Sequence, residues 1–221
     1  MGARGEKLLA RARRRLYTAV LSDVLDGLGY RQQAFAPHIR PLDDTLVLCG
    51  RARTALYREV FHIADGNPYE LEIALIDDLK PGDVAVMACG GSPRIAPWGE
   101  LLSTACRARR AAGCVTDGLV RDVRYIRKMK FPVFHGGIGP LDSKGRGEVA
   151  VIDVPVEISG VRIAPGDLIF GDVDGVVAIP RAVETEALTL ALKKVSTENT
   201  VRAELKRGDK LKAVFARHGI L

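Results

Sequence analysis

The stretch Gly113-Cys-Val-Thr-Asp-Gly-Leu-Val-Arg-Asp122 decides how the chain is read. Its first four residues, 113–116, are mostly apolar and suit a short buried strand. Asp117-Gly118 marks a turn, and Arg121 and Asp122 stand side by side where a helix over 122–129 is expected to begin. Strand, turn and helix in that order make one step of an α/β chain. A guanidinium and a carboxylate at the end of such a strand are placed to hold an anionic substrate and a hard divalent cation. The plainer alternative is a helix cap beside a surface ion pair.

Working outward, the same alternation continues on both sides. Residues 45–57 read as one or two strands around Gly50, and Asn67-Pro68 opens a helix over 68–79 carrying Leu71, Ala74, Leu75 and Leu79. Pro81-Gly82-Asp83 turns into a strand over 83–89. A glycine- and proline-rich loop, 90–97, leads into a helix from Trp98 to about 110, with Leu101, Leu102, Ala105 and Cys106 on one side. A short strand follows at 132–134. Beyond it the texture changes to short extended runs at 148–158, 161–163, 168–170 and 176–179, separated by tight turns that include a second Pro-Gly-Asp at 165–167. Asp172 and Asp174 read as part of a hairpin turn, since further acidic positions of a calcium loop are missing. Helical periodicity marks 5–17 and 18–28, and after Pro180 a long helix runs to about 206, with a last short helix over 209–217.

These signals predict parallel pairing in the first half of the sheet and an antiparallel meander in the second. The expected fold is α/β: a single domain over 1–221, a layered sandwich of helices around a mixed central β-sheet. Residues 1–17 form a basic N-terminal helix, 18–180 the α/β core and 181–221 the C-terminal helices.

Composition bounds the function. The chain has 221 residues, 47% hydrophobic and 27% charged, which suits a globular protein with a sizeable core. No apolar run approaches the roughly 18–20 residues of a membrane span, and the first residues lack the apolar segment of a secretion signal; the expected location is the cytoplasm. Cys49, Cys89, Cys106 and Cys114 form no C-x-x-C pair and read as buried, reduced thiols. Most of the net charge of +6 comes from Arg4, Lys7, Arg11, Arg13, Arg14 and Arg15, set against Glu6 alone within residues 1–15. With sparse aromatics and no nucleic-acid motif, this segment reads as a solvated helix face and nucleic-acid binding is not expected.

The four histidines are scattered without zinc-hydrolase spacing, and no G-x-S-x-G or P-loop is present. Lys128, Lys130 and Lys144 lie in polar stretches, poorly placed to act as Schiff-base lysines. The helix starting at Trp98-Gly-Glu-Leu-Leu102 carries more chemistry. Its first-turn amides, those of Leu101 and Leu102 included, lack intrahelical acceptors and can hold an anion. Glu100 is either an ordinary first-turn acid or a carboxylate that handles a proton.

Taken in order, Trp98-Gly-Glu-Leu-Leu-Ser-Thr-Ala105, the stretch 113–122, Phe131-Pro-Val-Phe-His-Gly136, Gly166-Asp167 and Asp172-Val-Asp-Gly-Val-Val-Ala-Ile-Pro180 resemble the 4-hydroxy-4-methyl-2-oxoglutarate aldolases and their relatives, the regulators of ribonuclease E activity. The resemblance covers roughly 18–218, and its most specific part is Glu100 standing 21 positions before Arg121. It implies a class II pyruvate aldolase dependent on Mg2+ or Mn2+ that also decarboxylates oxaloacetate. On the matching positions it implies that Asp122 ligates the metal, Arg121 contacts the pyruvyl group, the amides of Leu101 and Leu102 hold its carboxylate, and Glu100 orients a metal-bound water that serves in proton transfer. It further implies an acidic residue lent to the metal site by a neighbouring subunit, for which Glu198 is the candidate, in a homotrimer or dimer of trimers. The implied substrate is a small 2-oxo acid. The other activities open to the family are non-catalytic binding of ribonuclease E and a related sugar-acid lyase or hydratase. A methyltransferase activity is not expected, because no glycine-rich nucleotide loop is found.

Overall fold

The computed structural model describes residues 3–63 and 65–220; the side chains of Arg4 and Glu6, counted in the basic segment, lie outside the described residues. The elements run α1 (Ala3–Arg15), α2 (Thr18–Gly27), β1 (Arg40–Pro41), β2 (Leu48–Glu59), α3 (Glu70–Asp78), β3 (Asp83–Ala88), α4 (Glu100–Ala108), β4 (Gly113–Thr116), β5 (Leu119–Val120), α5 (Val123–Met129), β6 (Val133–His135), β7 (Gly137–Ile138), β8 (Gly147–Ile152), β9 (Val156–Ile158), β10 (Val161–Ile163), β11 (Leu168–Asp172), β12 (Gly175–Ile179), α6 (Glu184–Lys206) and α7 (Leu211–His218). The main sheet has the order β1-β6-β4-β3-β2-β11-β12, with β8 also paired to β2. Strands β2, β3, β4 and β6 are mutually parallel neighbours, while β8 and β11 join β2, and β12 joins β11, antiparallel. The fold is thus α/β with helices around a mixed central sheet, as the alternation predicts.

Side-chain alternation along the strands sorts the core. Val84, Val86 and Ala88 of β3, Val115 of β4, Ile169 of β11, and Val176 and Ala178 of β12 share one apolar cluster with Leu48, Ile39 and Phe134. The hairpin β9–β10 adds Val156, Ile158, Val161 and Ile163 to it. Intervening residues face outward: Ala85, Met87 and Cys114 pack with α3, α4 and α5, and Leu168, Phe170, Val177 and Ile179 with α1, α2 and α6. The sheet curls further than a flat layer. From the β1 edge, Arg40 donates to the carbonyls of Val173 and Asp174, between β11 and β12, at 3.3 and 3.0 Å.

The two Pro-Gly-Asp turns are the same device used twice. Gly82 and Gly166 adopt φ of 86° and 88°, where a side chain would be strained. The aspartate that follows accepts from the amide three residues before it: Lys80 to Asp83 and Ala164 to Asp167, both at 2.8 Å. Asp167 also accepts from the Arg181 amide at 3.0 Å, tying the approach to α6 onto the sheet. Asp167→Ala leaves both amides without that acceptor, and the expected loss is about 1–3 kcal/mol, read as a lower urea midpoint with an unchanged slope. Asp172 and Asp174 are hairpin residues, as expected. Asp172 also binds the Thr18 amide and hydroxyl, at 2.8 and 2.6 Å, anchoring α2.

Two predicted helix faces are rotated. In α3 the buried residues are Glu72, Leu75, Ile76 and Leu79, while Leu71 and Ala74 face outward. In α4 Leu101 is 77% exposed and Ser103 and Cys106 are buried. Both helices start two residues later than predicted. In α4 the residue before the helix, Gly99, is still extended and Trp98 belongs to a β-bridge. The predicted long helix likewise begins only at Glu184, after a turn at 181–183. All four cysteines are free and buried. Among the described residues no helix is long and apolar enough to cross a membrane. Lys7, Arg11, Arg13, Arg14 and Arg15 are exposed along α1.

Candidate active site

The Arg121–Asp122 pair does come to the start of α4, through backbone pairing rather than through the two helices. Trp98 and Val120 form an isolated parallel bridge; the Arg121 amide donates to the Trp98 carbonyl at 3.0 Å and the Leu119 amide to the Ile95 carbonyl at 2.9 Å. Trp98 is buried, and its indole N–H donates to the Ser103 hydroxyl at 2.8 Å, which fixes the entry to α4. On the other side β5 pairs in parallel with β7, a small second sheet that holds the Arg-Asp pair away from the main one. Asp117 is the clamp behind it. Its buried carboxylate accepts from the amides of Cys89 and Gly91 at 2.6 and 2.9 Å. Burial raises its pKa, opposed by those amides.

Asp122 stands at the N-cap position of α5 with φ 58°, in the left-handed region, and makes no side-chain cap bond. Its Oδ2 faces the neighbouring helix instead and accepts from the Glu100 amide at 3.3 Å. The capping alternative is therefore wrong: the carboxylate is withheld from its own helix. Arg121 Nε lies 3.8 Å from Asp122 Oδ2, and Arg121 Nη1 lies 3.6 Å from Asp142 Oδ1. A Cβ at Gly99 would sit 2.8 Å from Asp122 Oδ2 and 3.3 Å from Arg121 Nε, so a side chain there would displace the Arg-Asp pair.

These groups line a cavity of about 230 Å³ together with Leu101 and Leu102. The amides of Leu101 and Leu102 lie in the first turn of α4, where the helix offers them no acceptor. Glu100 is at the rim: its carboxylate accepts from the Thr104 hydroxyl at 2.8 Å and is not part of the cavity wall. Glu198 is elsewhere in the chain. It accepts a hydrogen bond from the Tyr17 hydroxyl and lines a separate cavity with Asp23 and Arg202.

The far wall is what the sequence reading missed. Tyr69 and Glu72, at the start of α3, and Asp142 and Ser143, in the loop before β8, complete the cavity. The Tyr69 hydroxyl donates to Asp142 Oδ2 at 2.8 Å, and the Tyr57 hydroxyl donates to Glu72 Oε2. Burial pushes the Glu72 carboxyl up to about 7, against the lowering effect of the Tyr57 bond. Burial also raises Asp142, but the Tyr69 bond and the Arg121 charge outweigh it and leave that group below its usual value. A signal for Glu72 existed: an acid three, four and seven positions before Leu75, Ile76 and Leu79 falls on the apolar face of its helix. Asp142 lies in a loop with no pattern to mark it.

Asp122 offers one open carboxylate at the cavity. Among the described residues no three His, Cys, Asp or Glu side chains cluster as a ready-made metal cage. This donor set fits a magnesium or manganese ion, which accepts few protein oxygens and keeps several waters, and it does not fit structural zinc.

Comparison with known proteins shows the family. Residues 18–178 match the model of the RraA-like family, described as Aldolase/RraA. A protein of Halalkalibacterium halodurans named "Putative 4-hydroxy-4-methyl-2-oxoglutarate aldolase" is 35% identical over 181 residues, 82% of this chain and 80% of that protein. Protein DlpA of Legionella pneumophila is 33% identical over 88% of this chain, which spans only 31% of that longer protein. In structure, Streptomyces coelicolor RraAS2, described as an unusual member of the RNase ES inhibitor RraA protein family, superposes with a TM-score of 0.79 at 27% identity, covering 89% of this chain and 96% of its own. The chain belongs to the RraA-like family of aldolases and their relatives.

Proposed function

We propose that the chain is a divalent-metal-dependent lyase that releases pyruvate from hydroxy-oxo acids of the 4-hydroxy-4-methyl-2-oxoglutarate type and decarboxylates oxaloacetate. The observation that carries this reading is the Asp122 carboxylate, uncapped and turned toward the first turn of α4, with Arg121 beside it. Both reactions break a carbon–carbon bond next to a 2-oxo acid and leave the same pyruvate enolate. Bound at Asp122, Mg2+ or Mn2+ would supply Lewis-acid stabilisation of that developing charge. The residues of this chain do the rest. The amides of Leu101 and Leu102 receive the pyruvyl carboxylate, and the Arg121 guanidinium holds the oxo side by fixed donors that need no reorganisation. Glu100, at the rim, is the candidate for moving the proton. Glu198 enters only through a second copy of the chain, in the trimer or dimer of trimers that the resemblance implies.

The RNase inhibitor relative brings the alternative of a non-catalytic regulator. An open carboxylate beside a guanidinium at free helix amides favours the enzyme, since partner binding needs no such convergence. The purified protein, assayed by coupled pyruvate detection, is expected to turn over oxaloacetate and 4-hydroxy-4-methyl-2-oxoglutarate with added Mg2+ or Mn2+, and to stop with chelator. Inactivity on both substrates with both metals refutes the reading.

A further inference from the structure

The Arg121–Asp122 site is built on the segments that leave the carboxyl ends of β3 and β4. Gly82, Ala112 and Pro132 stand at the other end of the parallel strands, one residue before β3, β4 and β6, and line a different cavity of about 380 Å³. We propose that this second cavity binds a small anion carrying two or more linked phosphate groups, held by Arg13, Arg107, Arg110 and Lys130, independently of the pyruvate chemistry at the opposite end.

The charge on its wall is of one sign. Those four cationic side chains line the cavity and no carboxylate does. Like charges gathered on one cavity repel each other, which costs stability until a counter-charge is bound. Among the described residues none of the four is ion-paired, whereas nearby Arg109 pairs with Asp77 and Arg127 is held by the Leu42 carbonyl. Arg107 donates from Nη1 to the Met129 carbonyl at 2.7 Å, which orients the guanidinium and leaves its other N–H groups for a ligand. Asp43, the carboxylate that feels Lys130, is already bonded by the amide and hydroxyl of Thr45 and does not line the cavity. Helix C-termini favour single basic residues, which accounts for each cation alone but not for their convergence. Arg110 and Lys130 also stand in left-handed backbone, φ 61° and 54°, just past α4 and α5, where glycine is the usual occupant. Positions that local stability would give to glycine carry charge instead. Guanidinium groups bind phosphate oxygens two at a time, and linked phosphates bring the several negative charges that this wall lacks. Nucleic acid is the poorer match, because the one aromatic ring of the lining, Phe131, is buried and offers a base no face to stack on.

The test is isothermal calorimetry on the full chain in metal-free, low-salt buffer, with pyrophosphate, ADP, citrate and a single-stranded RNA oligomer as probes. Pyrophosphate is expected to bind at one site per chain, roughly tenfold or more tighter than citrate, and to weaken as potassium chloride is raised. ADP binding as tightly as pyrophosphate assigns a nucleotide; pyrophosphate binding alone assigns a free oligophosphate. Arg13→Gln and Arg110→Asn remove cations whose side chains make no hydrogen bond among the described residues, and asparagine accepts the left-handed backbone at 110. Each is expected to weaken pyrophosphate roughly tenfold with no fall in the thermal midpoint of the free protein. Lys212→Gln, which removes the same charge from exposed α7, should leave the affinity as it is. Asp122→Ala should bind pyrophosphate like the parent, so failure of the lyase reading and failure of this site are separate results. The site is overturned if pyrophosphate does not bind, if citrate binds as tightly, or if affinity is unchanged in both folded variants. It is also overturned if Lys212→Gln loses as much as they do, or if RNA binds more tightly than pyrophosphate and weakens in the same variants.

Discussion

Asp122→Ala is expected to lower metal-dependent pyruvate release on the order of a thousandfold, the scale seen when a preorganised charge-stabilising group is removed. The fold should survive, because the Asp122 side chain makes no cap bond to α5 and its one backbone partner, the Glu100 amide, sits at a rim open to water. Asp122→Asn is the stricter version. Asparagine tolerates the same left-handed backbone and keeps the hydrogen-bonding oxygen, yet removes the charge, so it should lose nearly as much activity with less structural change. Manganese affinity, followed by electron paramagnetic resonance, should fall in both. Turnover that persists in either variant removes Asp122 from the metal site.

The second large effect is on stability. Gly50→Ala is expected to cost about 3 kcal/mol or more, enough to shift the thermal midpoint by several degrees. Gly50 lies inside β2, where a Cβ would strike the Gly82 carbonyl oxygen and come within 2.9 Å of both Ala112 Cβ and Val84 Cγ2. The carbonyl belongs to the first Pro-Gly-Asp turn and accepts from the Arg51 amide at 3.0 Å, so backbone rather than a movable side chain must give way. A midpoint within a degree of the parent shows that β2 and this turn are not in the contact described.

Gly50 also shows what the sequence made legible. It stands out in an extended run, and a glycine inside a strand signals close backbone approach. The alternation of 45–134 gave parallel pairing because its apolar runs met turn residues with a clear physical cause: Pro81-Gly82-Asp83 before β3 and Asp117-Gly118 after β4. The small β5–β7 sheet was not legible. Two-residue strands carry no period, and Gly137-Ile138 gives none. The site divided the same way. Arg121, Asp122 and the first turn of α4 belong to one local rule each, so spacing and resemblance located them. Asp142 depends on a loop brought back to the cavity by the curl of the sheet, which no local pattern encodes. Glu72 could have been seen, had its apolar face been drawn one residue over.

The backbone at Asp122 has a last consequence. Helix α5 has seven residues, starts on the left-handed Asp122 and ends on the left-handed Lys130, whose φ is 54°. With the Asp122 carboxylate turned to α4, it is held by buried Ile126 with Val123 and Met129, by Arg127, whose Nε donates to the Leu42 carbonyl at 2.8 Å, and by Arg107, which donates to the Met129 carbonyl at 2.7 Å. Such an element opens more cheaply than the sheet beneath it. The side chain on which turnover is expected to depend thus sits at the start of a short helix, so hydrogen exchange across α5 is expected to run ahead of global unfolding.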